Sequence, residues 1–395
     1  MTIKEAQDLI LSCVSNADTE RISINEAIGR VLAVDIKADR DYPPFNRSAM
    51  DGYAVKSSDF TDGKAVLTPV EKVLAGSVAK KMVVSGTCIK IMTGAPVPEG
   101  ADAVIKVEEC EEQDGAVQMI SFGVQPWKNI ARQGEDSIIG DLLISANSLL
   151  TAASISVLAV TGNPSVEVYK LPSVQVVSTG NEIVPVDSTI LPHQIRDSNS
   201  YAIKALFNKY NIVPKANLHV VDDKIKLKED LGNLMDNDIL ILSGGVSKGD
   251  ADFIPEVLQE LGVKKLFHRV KIKPGAPIWF GKNPNGGVVF ALPGNPVAVQ
   301  VAFKVFIEPY LRAHFGLKEL QPHLLPLLVE KRKAAKVDQF FPVKYAVKDG
   351  ITGVVINRMN GSGDIAATLD SDGIALHPTV ADELPEKTIV EFYPW

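Results

Sequence analysis

The sequence predicts a multidomain α/β protein: a doubly wound α/β domain joined to a helical region, an inserted β unit and a terminal β-barrel. Three observations predict it. From about 171 to 312, apolar strand-like runs alternate with amphipathic helical stretches, the pattern of a mostly parallel sheet. Three β-branched runs there, Ile239 to Leu242, Leu266 to Ile272 and Val288 to Leu292, each end in a polar, Gly-rich turn. Short strands broken by turns fill two further stretches, one before this region and one after it.

Taken in order, residues 1–40 carry helical periodicity, with Ala6, Leu9, Ile10 and Val14 on one face and a second short helix expected from Ala27 to Val34. From 41 the texture changes. Pro43-Pro44, Asp62-Gly63, Glu99-Gly100 and Asp114-Gly115 punctuate short strands up to about 140. Helical character returns at Ala152 to Val160, so 1–40 and 141–170 read as flanks of an inserted β domain at 41–140. Residues 171–315 then alternate: strand Val174 to Val177, helix Ser198 to Tyr210, strand His219 to Val221, a charged helix through Leu234, strand Asp238 to Leu242 and helix Phe253 to Leu261. A long helix from Pro296 to Phe315 closes this region. Past Pro322, short strands recur to 395 and suggest a small β-barrel over 322–395.

Composition narrows the function. The chain has 395 residues, 46% hydrophobic and 23% charged, which is globular rather than disordered. Its net charge is −7, with no basic run dense enough to track a phosphate backbone, so nucleic acid is not an expected partner. No apolar run approaches a membrane span, and the charged opening helix is no secretory signal. Three cysteines, Cys13, Cys88 and Cys110, lack metal-type spacing and fit buried thiols in a reducing cytoplasm.

The Gly-rich turns carry the chemistry. In open α/β sheets ligands bind at the carboxyl ends of the strands. Ser243, Gly244, Gly245 and Ser247 form one such turn, and Pro293, Gly294, Asn295 and Pro296 another. Asn and Pro suit a helix start, which would aim free N–H groups at a phosphate. Asp250 and Asp252, two apart, are candidate ligands for a hard divalent ion, with helix capping by Asp252 as the plain alternative. Asp222 or Asp223 follows another strand end, and Glu182 follows the turn at Ser178 to Asn181. Arg269, Lys271 and Lys273 alternate and would share one cationic face. The reading from residues alone is anion binding beside a divalent metal.

Seven motifs sharpen this: SAMDGYAV at 48–55, MTGAPVPEGADAVIK at 92–106, RQGED at 132–136, STGNE at 178–182, SGGVSKGDADF at 243–253, IKPGAP at 272–277 and LPGNPVA at 292–298. In this order, across nearly the whole chain, they resemble the MoeA/gephyrin E-domain family. The resemblance implies a molybdopterin molybdenumtransferase that inserts molybdate into adenylylated molybdopterin, releasing AMP with Mg²⁺. It implies a cytoplasmic homodimer with a helical stalk, an inserted β domain, a MogA-like α/β domain and a C-terminal β-barrel. A molybdopterin adenylyltransferase would act upstream, and molybdoenzyme acceptors or chaperones downstream. By motif, Asp51, Thr93 and Asp136 look like a partner-subunit contribution to a site completed by Glu182, Asp222 or Asp223, Asp250, Asp252, Lys273, Pro293 and Pro296. Arg269 stands where the family often has lysine. Val337 to Pro342 departs from a basic, Arg-containing family segment, whereas the Gly361-Ser362-Gly363 turn is kept. The alternative function is a non-catalytic molybdopterin-binding or scaffold protein, disfavoured by so many carboxylates beside an anionic ligand.

Overall fold

The strands Val174–Thr179, Ile239–Ser243 and Val288–Leu292 are buried along their whole length. Their β-branched and aliphatic sequences suit a sheet covered on both faces. Successive side chains divide between two cores. Val174, Val176, Ile239, Ile241, Val288 and Phe290 enter one, and Val177, Leu240, Leu242, Val289 and Ala291 the other. Ile203 and Phe207 of helix Asn199–Asn208 cover the first face. Leu227 of helix Lys224–Gly232 and Val257 of helix Ile254–Glu260 cover the second. The chain is wound on both sides of the sheet.

The computed structural model describes residues 1–15, 17–246, 253–333 and 335–395. They divide into two compact units: one of Val34–Ala146 with Ala152–Ser165, the other of Met1–Ala33, Asn147–Thr151 and Val166–Trp395. In the larger unit the α/β sheet runs Leu218–Val220, Val174–Thr179, Ile239–Ser243, Val288–Leu292, Trp279–Lys282, Lys264–His268. The first four strands are parallel; Trp279–Lys282 runs opposite to them and pairs antiparallel with both its neighbours. A second sheet is built from Asp338–Lys348, Gly373–His377, Ile389–Pro394, His323–Pro326 and Ile351–Ile356. A bridge from Leu327 to Val354 brings its edges together. The smaller unit holds a six-stranded sheet in the order Ala103–Lys106, Gly52–Val55, Thr87–Ile91, Lys64–Val73, Ala116–Ile120, Cys110–Gln113. Tyr53 and Val55 enter one of its cores and Ala54 the other. No helix among the described residues is long and apolar enough to cross a membrane.

Two expectations are corrected and one is refined. Residues 27–34 form no helix: the Leu32 and Ala33 amides donate instead to the carbonyls of Ser148 and Glu167, at 2.9 Å each. Non-local pairing wins because it buries Leu32 completely. The run from Leu266 to Ile272 is not one strand. Lys264–His268 stays in the α/β sheet, Arg269 takes φ +80°, and Ile272–Lys273 pairs in parallel with Asp338 and Gln339 of the second sheet. The long last helix runs unbroken from Pro296 to His314 as expected and carries a π-helical turn at Phe303–Ile307.

Candidate active site

Parallel register sets three strand ends at one level, with Ser178 opposite Ser243 and Ser243 opposite Leu292. The turns that follow therefore meet. Gly244 sits at φ +105°, and a Cβ there would lie 2.5 Å from the Thr179 carbonyl oxygen. Only glycine fits that approach. The Gly244 amide donates to the Leu292 carbonyl at 3.1 Å. A Cβ on Gly294 would lie 3.9 Å from the Gly244 Cα. Ser243, Gly244, Gly245, Pro293, Gly294 and Asn295 are thus gathered on one edge.

Asn295 occupies the N-cap position of helix Pro296–Ala302 without capping it. Its side-chain amide donates to the Ser362 hydroxyl at 2.9 Å, and the Val297 amide donates to the Ser362 carbonyl at 3.1 Å. The expectation of free N–H groups at this helix start is narrowed: the Gly361-Ser362-Gly363 turn takes the Val297 amide, and Pro296 has none to offer. Sequence reasoning left that turn without a role.

The carboxylates separate by function. Asp223 caps helix Lys224–Gly232, accepting from the Lys226 amide at 2.9 Å. Asp222 is tied to the first turn, its amide donating to the Asn181 side chain at 3.2 Å. Glu182 is exposed, and its carboxylate folds back over Gly180. Ser247, Asp250 and Asp252 lie outside the described residues. Among the described residues no three His, Cys, Asp or Glu side chains gather as a metal would require.

Arg269, Lys271 and Lys273 are all exposed, with Val270 and Ile272 buried between them. The expected alternation survives without the expected strand. Together they border a shallow depression of about 440 Å³. Lys331, which the sequence reading passed over, has its ammonium 4.6 Å from the Phe341 ring centre. Burial lowers its pKa, and repulsion from Lys273 and Lys333 adds to that. A separate cavity of about 490 Å³, bordered by Gln7, Glu308 and Arg312, holds none of the motif residues assigned to the site.

In the smaller unit three polar turns are cross-linked by backbone. The Ser48 amide donates to the Ala95 carbonyl at 2.9 Å, and the Gly94 amide to the Ser48 carbonyl at 2.8 Å. Ser48 also pairs with Ile130. The Gln133 amide donates to the Asn46 side chain at 2.9 Å, and the Gly134 and Asp136 amides to the carbonyls of Pro43 and Tyr42. Asp51 accepts from the Thr93 amide at 2.7 Å and from its hydroxyl at 2.8 Å. These bonds, the backbone one first, lower the Asp51 pKa below the ordinary carboxylate value. Asp51 and Thr93 therefore act as one group. Asp136 is exposed on the same set of turns.

Residues 1–162 match the family described as "MoeA N-terminal region (domain I and II)", and residues 175–313 that described as "Probable molybdopterin binding domain". A molybdopterin molybdenumtransferase of Staphylococcus epidermidis is 30% identical over 391 residues, covering 96% of this chain and 91% of that protein. The chain belongs to the MoeA family of molybdopterin molybdenumtransferases. The Nostoc molybdopterin molybdenumtransferase is 34% identical over 80% of this chain and 75% of its own length. The molybdopterin biosynthesis moeA protein of Pyrococcus horikoshii superposes over the whole of both chains with a TM-score of 0.84 at 28% identity. MoeA membership makes the chain a transferase rather than a passive binder.

Proposed function

We propose that this MoeA-family protein inserts molybdate into adenylylated molybdopterin, with Mg²⁺ present and AMP released, in the cytoplasm and as a homodimer. The observation that carries this reading is the meeting of the Ser243 to Val246 and Pro293 to Asn295 turns on one sheet edge, in a chain whose relatives are molybdenumtransferases. The substrate would arrive from a molybdopterin adenylyltransferase, and the product would pass to molybdoenzymes or their chaperones.

The residues supply positioning and charge. Backbone N–H groups of the Gly-rich turns, with Lys271, Lys273 and Arg269, would hold the phosphate and the incoming oxyanion. Asp222, Asp250 and Asp252 would hold Mg²⁺; they offer oxygen donors only, the set this hard cation takes. Bound there, the ion supplies neutralisation of phosphate charge. Glu182 would orient water or substrate at the same edge. The Thr93 bonds favour the ionised form of Asp51, which accepts hydrogen bonds and has no proton to give. Asp51, Thr93 and Asp136 would come from one subunit and the sheet edge from its partner. The expected four-part layout (1–40 with 141–170, 41–140, 171–315, 322–395) is the arrangement that would present them so.

Mixing two inactive variants tests the composite site. Asp51→Ala and Asp252→Ala dimers, exchanged with each other, should regain AMP release, because one site in each heterodimer carries neither change. A mixture as inactive as its components, with subunit exchange demonstrated, would reject a shared site.

A further inference from the structure

Asn199 is the first residue of helix Asn199–Asn208, directly after the N-cap Ser198, where a short polar side chain ordinarily stays with local backbone groups. It does not do so here. Ser198, at the N-cap, makes no side-chain cap bond, and Asp197 accepts from the Ser200 amide at 3.0 Å instead. The Asn199 side-chain amide turns away from its helix. It donates to the Ser243 hydroxyl at 3.0 Å and to the Gly294 carbonyl at 2.7 Å. Ser243 and Gly294 belong to two different Gly-rich turns, which follow neighbouring parallel strands. One amide thus spans the gap between the two backbone segments expected to face the phosphate.

We infer that Asn199 is a positioning residue, a clamp that sets the spacing of the two turns across which the phosphate-bearing substrate is held. This rests on the transferase reading above. Ser243 is almost wholly buried, so its hydroxyl gives the clamp a firm anchor. Gly294 is exposed, and the Asn199 amide holds its carbonyl from the protein side. Displacing reacting groups by an ångström can cost about 100-fold in rate.

The test compares Asn199→Ala and Asn199→Asp with wild type. Asp has nearly the same size but cannot donate to the Gly294 carbonyl, and should the Ala variant fail to fold, the Asp variant decides. Both are expected to melt cooperatively, to lose about 100-fold in kcat for AMP release, and to bind AMP about tenfold more weakly. Wild-type kcat in both, or loss in the Ala variant restored in the Asp variant, would show that Asn199 only fills space. AMP itself, used as a binding probe, separates this idea from the reading it rests on. Wild type that binds AMP without turnover would defeat the transferase reading, and the clamp would then stand or fall on whether the variants bind AMP about tenfold more weakly.

Discussion

The sheet edge and the Asp51 turns both present polar groups on loops, but they are held in different ways. At the edge, parallel strands set the level of every turn, and close backbone approach sets their spacing: Gly244 lies against Thr179 and Gly294 against Gly244. In the Asp51 region antiparallel pairing of Gly52 with Ile91 brings Asp51 near Thr93, but the turns themselves follow no shared level. Backbone hydrogen bonds between 42–48, 93–96 and 130–136 hold three turns to one another. The Gly244 turn is therefore intolerant of added volume, whereas the Gly94 turn, with open space beside it, depends on its hydrogen bonds.

Two glycines put that difference to work. Gly244→Ala is expected to cost about 3 kcal/mol or more, combining left-handed strain with overlap on the Thr179 carbonyl. Gly94 has a similar positive φ of +82°, yet a Cβ there would meet nothing within 4 Å. Gly94→Ala should cost only the backbone strain, about 1–2 kcal/mol. Thermal melting of both checks this; equal destabilisation would erase the distinction drawn between the two regions.

A smaller effect probes the turn cluster. Thr93→Val removes one of the two donors to Asp51 and keeps the backbone one, which is the larger cause of its lowered pKa. The Asp51 pKa should rise part of the way to the ordinary carboxylate value. Because the folded-state pKa is depressed, the charge on Asp51 is complete above the ordinary value and lost as pH falls through the depressed one. The loss should begin at higher pH in the variant. Carboxyl NMR titration reads it directly, and an unmoved pKa would mean the Thr93 hydroxyl does not support Asp51 in solution.

This contrast also explains what the sequence made legible. Strand, Gly-rich turn and helix follow one another within a few residues, so the edge could be read from Ile239 to Val246 and from Val288 to Pro296 alone. The Asp51 to Thr93 contact spans 42 residues and the Asn46 to Gln133 contact 87, and nothing local announces either. Chemistry alone saw ordinary turns there; only the family resemblance singled out Asp51, Thr93 and Asp136. Asn199 escaped because its polar neighbours look like a plain helix start, and Ser362 because its partners lie 65 and more residues away. The split of Leu266 to Ile272 was hidden because an apolar run does not reveal that Arg269 turns the chain into another sheet.

The central claim is that carboxylates from both regions belong to one reacting site. AMP release from adenylylated molybdopterin, with molybdate and Mg²⁺ supplied, measured for wild type, Asp252→Asn and Asp51→Asn, tests it most directly. The account predicts wild-type turnover abolished by a chelator, and two variants that melt like wild type but release AMP about 100-fold more slowly or worse. Full activity in both variants, or wild-type turnover in the chelator, would contradict it.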